Sequence, residues 1–248
     1  RTRATDGRRL DGIAVTAMSL SRMPDAVVFD MDGLLFDTEA MVREAARTAA
    51  LRLRFDMPDT VFLSLIGLSS DEGRKQLMDH YGASFDCDAF WRAVDEDFHR
   101  LLHGRRFLKT GVVELLDWLD ERNLPRAIAT SSGHTHVQRN LAIHDLSGRF
   151  HAVVADGDCE LGKPNPHPFL EAAEQLGVAA AACLALEDSP NGVRAASAAG
   201  MMTIMVPDLI QPTEDIRGRC VHVARDLHEV RALLVQLAAD ATGPRKQE

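Results

Sequence analysis

Two carboxylates, Asp30 and Asp32, stand one residue apart at the end of the apolar run Ala26-Val27-Val28-Phe29, and Gly33 follows directly. A continuous apolar run of this length fits a strand buried on both faces of a parallel sheet. Ligands of open α/β sheets bind at the carboxyl ends of the strands, which is where these acids would sit. The pair has two readings: a strand that ends in a polar turn, or a nucleophile and an acid/base held around a divalent cation. Three more polar groups follow short apolar stretches. Thr130 ends Arg126-Ala127-Ile128-Ala129. Its hydroxyl, with the N–H groups of Ser131 and Ser132 at a helix start, suits phosphate oxygens, although an ordinary helix cap has the same pattern. Lys163 is carried by Gly162-Lys163-Pro164-Asn165-Pro166, where two prolines stiffen the backbone. A lysine on such a loop is ordinarily solvated and matters only where anion-binding groups converge. Glu187 and Asp188 end Cys183-Leu184-Ala185-Leu186, and two acids there make an oxygen-rich site suited to Mg²⁺.

The elements that must position these groups alternate. Strands are expected at 26–29, 126–129, 152–154, 183–186, 202–206 and 222–223. Helices are expected at 112–119, 137–143, 166–176, 190–199 and 227–237. Alternation of this kind implies an α/β fold with a doubly wound parallel sheet. Residues 39–108 break the pattern: they read as helical throughout, an all-helical insertion between a core of 23–38 and 109–240. Within it, 40–53 is Ala-rich helix, and Ser69 or Ser70 caps the helix that follows Gly67-Leu68. Phe90, Trp91, Val94, Phe98, Leu101 and Leu102 recur at helical spacing and read as a packing face. Residues 1–22, with Arg1, Arg3, Arg8 and Arg9 among small and polar residues, read as a disordered extension. Met18 and Met23 are alternative starts.

Composition narrows the function classes. The 248 residues are 46% hydrophobic and carry a formal charge of −9, which argues against general affinity for nucleic acid or anionic membranes. Cys87, Cys159, Cys183 and Cys220 are scattered, so neither a zinc site nor a disulfide framework is suggested. No apolar run approaches the ~18 residues of a membrane span. The default setting is cytoplasmic. Oligomeric state leaves no trace in the sequence.

Four strand-end motifs in this order, Asp30-Met31-Asp32-Gly33, Ile128-Ala129-Thr130-Ser131-Ser132, Gly162-Lys163-Pro164 and Leu186-Glu187-Asp188-Ser189, resemble the haloacid dehalogenase (HAD) superfamily of phosphotransferases. Asp37-Thr38-Glu39 and the Glu187-Asp188-Ser-Pro-x-Gly stretch are similar to the branch with β-phosphoglucomutase and sugar-phosphate phosphatases, in which a helical cap is inserted after the first motif. The resemblance implies Asp30 as nucleophile, Asp32 as acid/base, and Thr130 and Lys163 as phosphate ligands, with Gly33, Ser131 and Ser132 at the phosphate. It implies Mg²⁺ held by Asp30, Asp188, Asp32 through its backbone carbonyl, and Glu187. It implies a small phosphorylated metabolite as substrate. Asp32 argues against the dehalogenases and phosphonoacetaldehyde hydrolases of the superfamily, which lack it; Lys75, the sole lysine between 40 and 108, reads as solvated surface. Mutases of the branch carry a histidine, an arginine and a lysine where this chain has Val42, Ser70 and Ile66, so hydrolysis is expected over phosphosugar mutation. His167 departs from the aspartate common in relatives. A non-catalytic binding protein on the same fold remains a third possibility, opposed by the intact motif set.

Overall fold

The computed structural model describes residues 20, 22–102 and 107–242. The expected N-terminal extension lies outside the described residues except for Leu20 and Arg22. Six strands form one all-parallel sheet: β1 (Ala26–Phe29), β2 (Arg126–Ala129), β3 (Ala152–Val154), β4 (Cys183–Glu187), β5 (Met202–Met205) and β6 (His222–Val223). Their order across the sheet is β3-β2-β1-β4-β5-β6. The central strands read as unbroken apolar runs because both faces are covered. Val27 and Phe29 point into one cluster, built with Leu115, Leu116 and Leu119 of α5 (Val112–Glu121) and Leu227, Val230 and Leu234 of α10 (Leu227–Thr242). Ala26 and Val28 point the other way, against Phe169, Ala172 and Ala173 of α7 (His167–Leu176) and Ala195 and Ala196 of α8 (Pro190–Ala198). Small residues on that face let the helices lie close to the sheet.

Between β1 and α5 the chain leaves the sheet and forms four helices: α1 (Glu39–Leu53), α2 (Asp59–Leu65), α3 (Ser70–Tyr81) and α4 (Cys87–Leu102). They form the inserted cap. α1 packs its buried alanines, Ala45, Ala46, Ala49 and Ala50, against α4. Ser69 caps α3 by accepting a hydrogen bond from the Glu72 N–H (3.4 Å). The remaining core helices are α6 (His134–Ile143), which follows β2, and α9 (Glu214–Arg219), which follows β5. Several helices differ from the sequence expectation at one end by up to five residues. α6 begins three residues earlier, at His134, and α10 runs on to Thr242. Pro166 caps α7 rather than standing inside it.

Candidate active site

The sheet reverses its order of growth between β1 and β4: the chain winds through β2 and β3 on one side and through β5 and β6 on the other. Loops leaving two such neighbours diverge and open a crevice at the strands' carboxyl ends. Asp30 stands one residue past β1, and its N–H still donates to Leu186 O of β4 (2.9 Å), so the sheet itself fixes its backbone. Asp188 stands one residue past β4. Gly33 turns the chain at φ +86°, and a Cβ there would lie 2.3 Å from Asp188 Oδ2. Only glycine allows both the turn and the approach.

Lys163 is not solvated. It is 1% exposed, lies over the Phe169 ring, and donates from Nζ to Asp30 Oδ1 (2.5 Å) and Glu187 Oε1 (2.6 Å). The stiff loop thus delivers a cation into the acidic centre. The other Glu187 oxygen, Oε2, accepts hydrogen bonds from the Asp188 and Ser189 N–H groups and from Ser189 Oγ, each 3.0 Å. Both Glu187 oxygens are therefore engaged. The Asp188 carboxylate accepts no hydrogen bond from any described residue.

Oxygens of Asp30, Glu187 and Asp188 lie within 4.8 Å of one another. One ammonium faces three carboxylates in a buried place. Burial pushes Asp30 up to about 8, with the Glu187 and Asp32 charges adding to it and Lys163 opposing. Burial, then repulsion from Asp30 and Glu187, holds Asp188 well above the usual carboxylate range. Burial alone would lower Lys163, but Asp30 and Glu187 outweigh it and hold the ammonium above its ordinary range. Such a donor set, oxygen-only and short of positive charge, fits a hard divalent cation.

The Asp32 carboxylate stands apart from that cluster. Oδ1 accepts from Thr38 Oγ1 (2.8 Å) and Oδ2 from Ser132 Oγ (2.7 Å), which aim the side chain from both sides. Thr130 is 4% exposed, and its Oγ1 accepts the Ser132 N–H (3.1 Å). The Ser132 amide is thus spent within the loop, two residues before α6 begins. Ser131 Oγ is buried without a hydrogen-bond partner.

The crevice continues as a cavity of about 520 Å³ between the sheet end and the helices α1–α4. Asp30, Asp32, Thr130, Ser131, Ser132 and Asp188 line it at the sheet end. Val42, Ile66 and Ser70 line it from the cap, and so do Trp91, Val94 and Phe98 of α4, a face that the sequence suggested only as packing. His136 and Asn140, one turn apart on α6, were not singled out by the sequence reading and also line it. Nor was Glu39, which burial and then Asp32 and Asp30 hold well above the ordinary carboxylate range. The Asp37-Thr38-Glu39 stretch was the available sign for Thr38 and Glu39.

The family model of haloacid dehalogenase-like hydrolases matches residues 27–206. The chain belongs to this family. It is 36% identical to the probable pseudouridine-5'-phosphatase of Drosophila melanogaster, over 73% of this chain and 80% of that protein. It is 31% identical to the phosphorylated carbohydrates phosphatase of Thermotoga maritima, over 73% and 83% of the two chains. Among solved structures, β-phosphoglucomutase from Clostridium difficile superposes with a TM-score of 0.72 at 21% identity, covering 88% of this chain and 100% of that one. That likeness is one of fold. The haloacid dehalogenase motifs, read as four separate strand ends in the sequence, meet here at one crevice.

Proposed function

We propose that this phosphatase of the haloacid dehalogenase-like family hydrolyses small phosphorylated metabolites with Mg²⁺, through an aspartyl-phosphate on Asp30. The observation that carries this reading is the convergence of Asp30, Lys163, Asp188, Thr130 and Asp32 at the mouth of β1 and β4, under a cavity large enough for a metabolite. The phosphatases named among the relatives support the substrate class.

In this mechanism a carboxylate oxygen of Asp30 attacks phosphorus and the bond to the ester oxygen breaks. Asp32 gives its proton to the departing alkoxide, and the alcohol leaves. Asp32, now ionised, takes a proton from a water that attacks the acyl phosphate; phosphate departs and both aspartates return to their starting forms. A positioned acid/base contributes ~10²–10⁴-fold. Lys163 and Thr130 hold the transferring phosphoryl group. Lys163 also keeps Asp30 oriented while the site is empty. Asp30 and Asp188, with the Asp32 backbone, would hold Mg²⁺, whose charge lowers the repulsion between carboxylate and phosphate. Glu187 acts by fixing Lys163 and the Asp188 loop.

Hydrolysis is favoured over mutation because Val42 and Ile66, where mutases of the branch carry basic groups, give the cavity wall no donor for a second phosphate. The test is phosphate release from a broad panel of phosphorylated metabolites with Mg²⁺ and with a chelator. Chelator-sensitive release that falls to background in Asp30→Asn is the expected result. Full activity in that variant refutes the mechanism; isomerisation of a sugar phosphate without phosphate release points to the mutase.

A further inference from the structure

We infer that the cavity wall formed by α4 and α6 selects phosphate esters whose leaving group is uncharged and presents hydroxyl or N–H donors. This inference rests on the phosphatase function proposed above. Asn140 is 2% exposed, lines the cavity, and its amide oxygen accepts no hydrogen bond. Ser131 Oγ on the adjoining loop is buried and unpartnered in the same cavity. A buried acceptor left unpaired is costly, so a site that keeps one is matched to a donor brought by the ligand. Asp95 of α4 adds a third acceptor. Its Oδ1 is buried without a hydrogen bond, 3.3 Å from His99 Nδ1 and 3.5 Å from His136 Nε2.

The same wall is hostile to a second anion. Arg74 is the one arginine or lysine among the described residues lining this cavity, and it is tied to Asp88 at 2.5 Å. Arg139 packs over the Phe98 ring and reaches His99 through Nη1; its Nε and Nη2 are buried without a hydrogen-bond partner, but it is not among the residues that line the cavity. Burial, then the Arg139 charge, lowers the His136 pKa, which favours the uncharged imidazole. A carboxylate or second phosphate on the leaving group would therefore meet Asp95 and the Asn140 oxygen with no unpaired arginine or lysine among the described residues that line the cavity. Val42, Ile66, Trp91 and Phe98 supply apolar surface for the carbon face of the leaving group. Polyols, sugars and nucleosides share this chemistry: a donor edge and a carbon or ring face.

The experiment compares kcat/KM with Mg²⁺ for sorbitol 6-phosphate, uridine 5'-monophosphate, 2-phosphoglycolate, fructose 1,6-bisphosphate and p-nitrophenyl phosphate. One of the two uncharged leaving groups should exceed both charged ones by about tenfold or more, and which of the two leads separates polyol from nucleoside. Asn140→Leu should lower the ratio of the preferred ester to p-nitrophenyl phosphate about tenfold, the worth of one hydrogen bond to a buried acceptor. Asp95→Asn should narrow the discrimination against 2-phosphoglycolate. A preference for either charged ester overturns the inference, as do unchanged ratios in both variants. Absence of any turnover, p-nitrophenyl phosphate included, overturns the phosphatase function itself and this inference with it.

Discussion

Gly192→Ala tests the architecture beneath the site without touching any group assigned to the chemistry. Gly192 is the third residue of α8, and a Cβ there would lie 1.6 Å from Glu187 Oε1 and 1.9 Å from its Cδ. Glu187 is 0% exposed and has nowhere to retreat. The carboxylate must leave the place where it accepts from Lys163, the Asp188 and Ser189 amides and Ser189 Oγ. Lys163 keeps Asp30, but the Asp188 and Ser189 amides and Ser189 Oγ lose their acceptor, and at about 1–3 kcal/mol for each buried donor left unsatisfied the loss is about 3–5 kcal/mol. For a chain of this size that lowers Tm by roughly 6–20 °C. Activity should fall with it, since Lys163 and the Asp188 loop both lose Glu187 as an anchor. Gly218→Ala is the control: it lies in α9, meets nothing within 4 Å, and has no positive φ. It should raise stability by about 0.5–1 kcal/mol. The measurements are thermal unfolding and phosphate release for both variants. A Gly192→Ala protein with wild-type Tm and wild-type activity would refute the packing argument, because no other position for Glu187 keeps its partners.

Asp188→Asn should raise the Tm of the metal-free protein, since it removes a buried carboxylate that Asp30 and Glu187 repel, and should abolish the further rise that Mg²⁺ gives the wild type; calorimetry with and without Mg²⁺ reads both. Arg225, His222 and the Arg225 N–H hold Glu229 down to about 2. A depressed carboxylate stabilises the fold above its unfolded value and loses that contribution as pH falls toward 2. Glu229→Gln should therefore cost about 1 kcal/mol at neutral pH and nothing near pH 2, seen in urea unfolding at the two pH values. A constant difference across that range would contradict the assignment. Thr38→Val should lower kcat more than it raises KM, because it frees one oxygen of Asp32 and leaves the phosphate pocket intact.

The strand ends were legible because a strand buried on both faces must be apolar along its length, and it stops where a polar group appears. That is why Asp30, Thr130 and the Glu187-Asp188 pair stood out. What could not be read was convergence. Lys163 and Asp30 are 133 residues apart, and nothing local distinguishes a lysine that is driven inward by two carboxylates from one that is solvated. Ser132 looked like a phosphate amide because its neighbours begin a helix, yet Thr130 Oγ1 takes its N–H. Trp91, Val94 and Phe98 carry a helical period that suits packing and cavity lining equally, and only the placement of α4 over the sheet end separates the two. Asn140 and His136 sit among polar residues of a short helix, where exposure is the default.

The seat of the cap has a consequence of its own. The segment joining α2 and α3 is held through its own backbone groups: the Ser69 N–H donates to Lys163 O (3.3 Å), and Ile66 O accepts from Asn191 Nδ2 (2.9 Å). Gly162 lies so close to Ser69 that an added Cβ would come within 2.3 Å of the Ser69 Cβ. Helices α1–α4 are thus aligned on the Lys163 loop and on the start of α8 through backbone groups of the segment that joins α2 and α3, with Asn191 and Gly162 as the matching residues on the sheet side, whereas the cavity is shaped by side chains. Selection can redraw the lining, residue by residue, while the register between cap and sheet stays put. A fold hinged in this way can drift from one alcohol to another without passing through a form that cannot close.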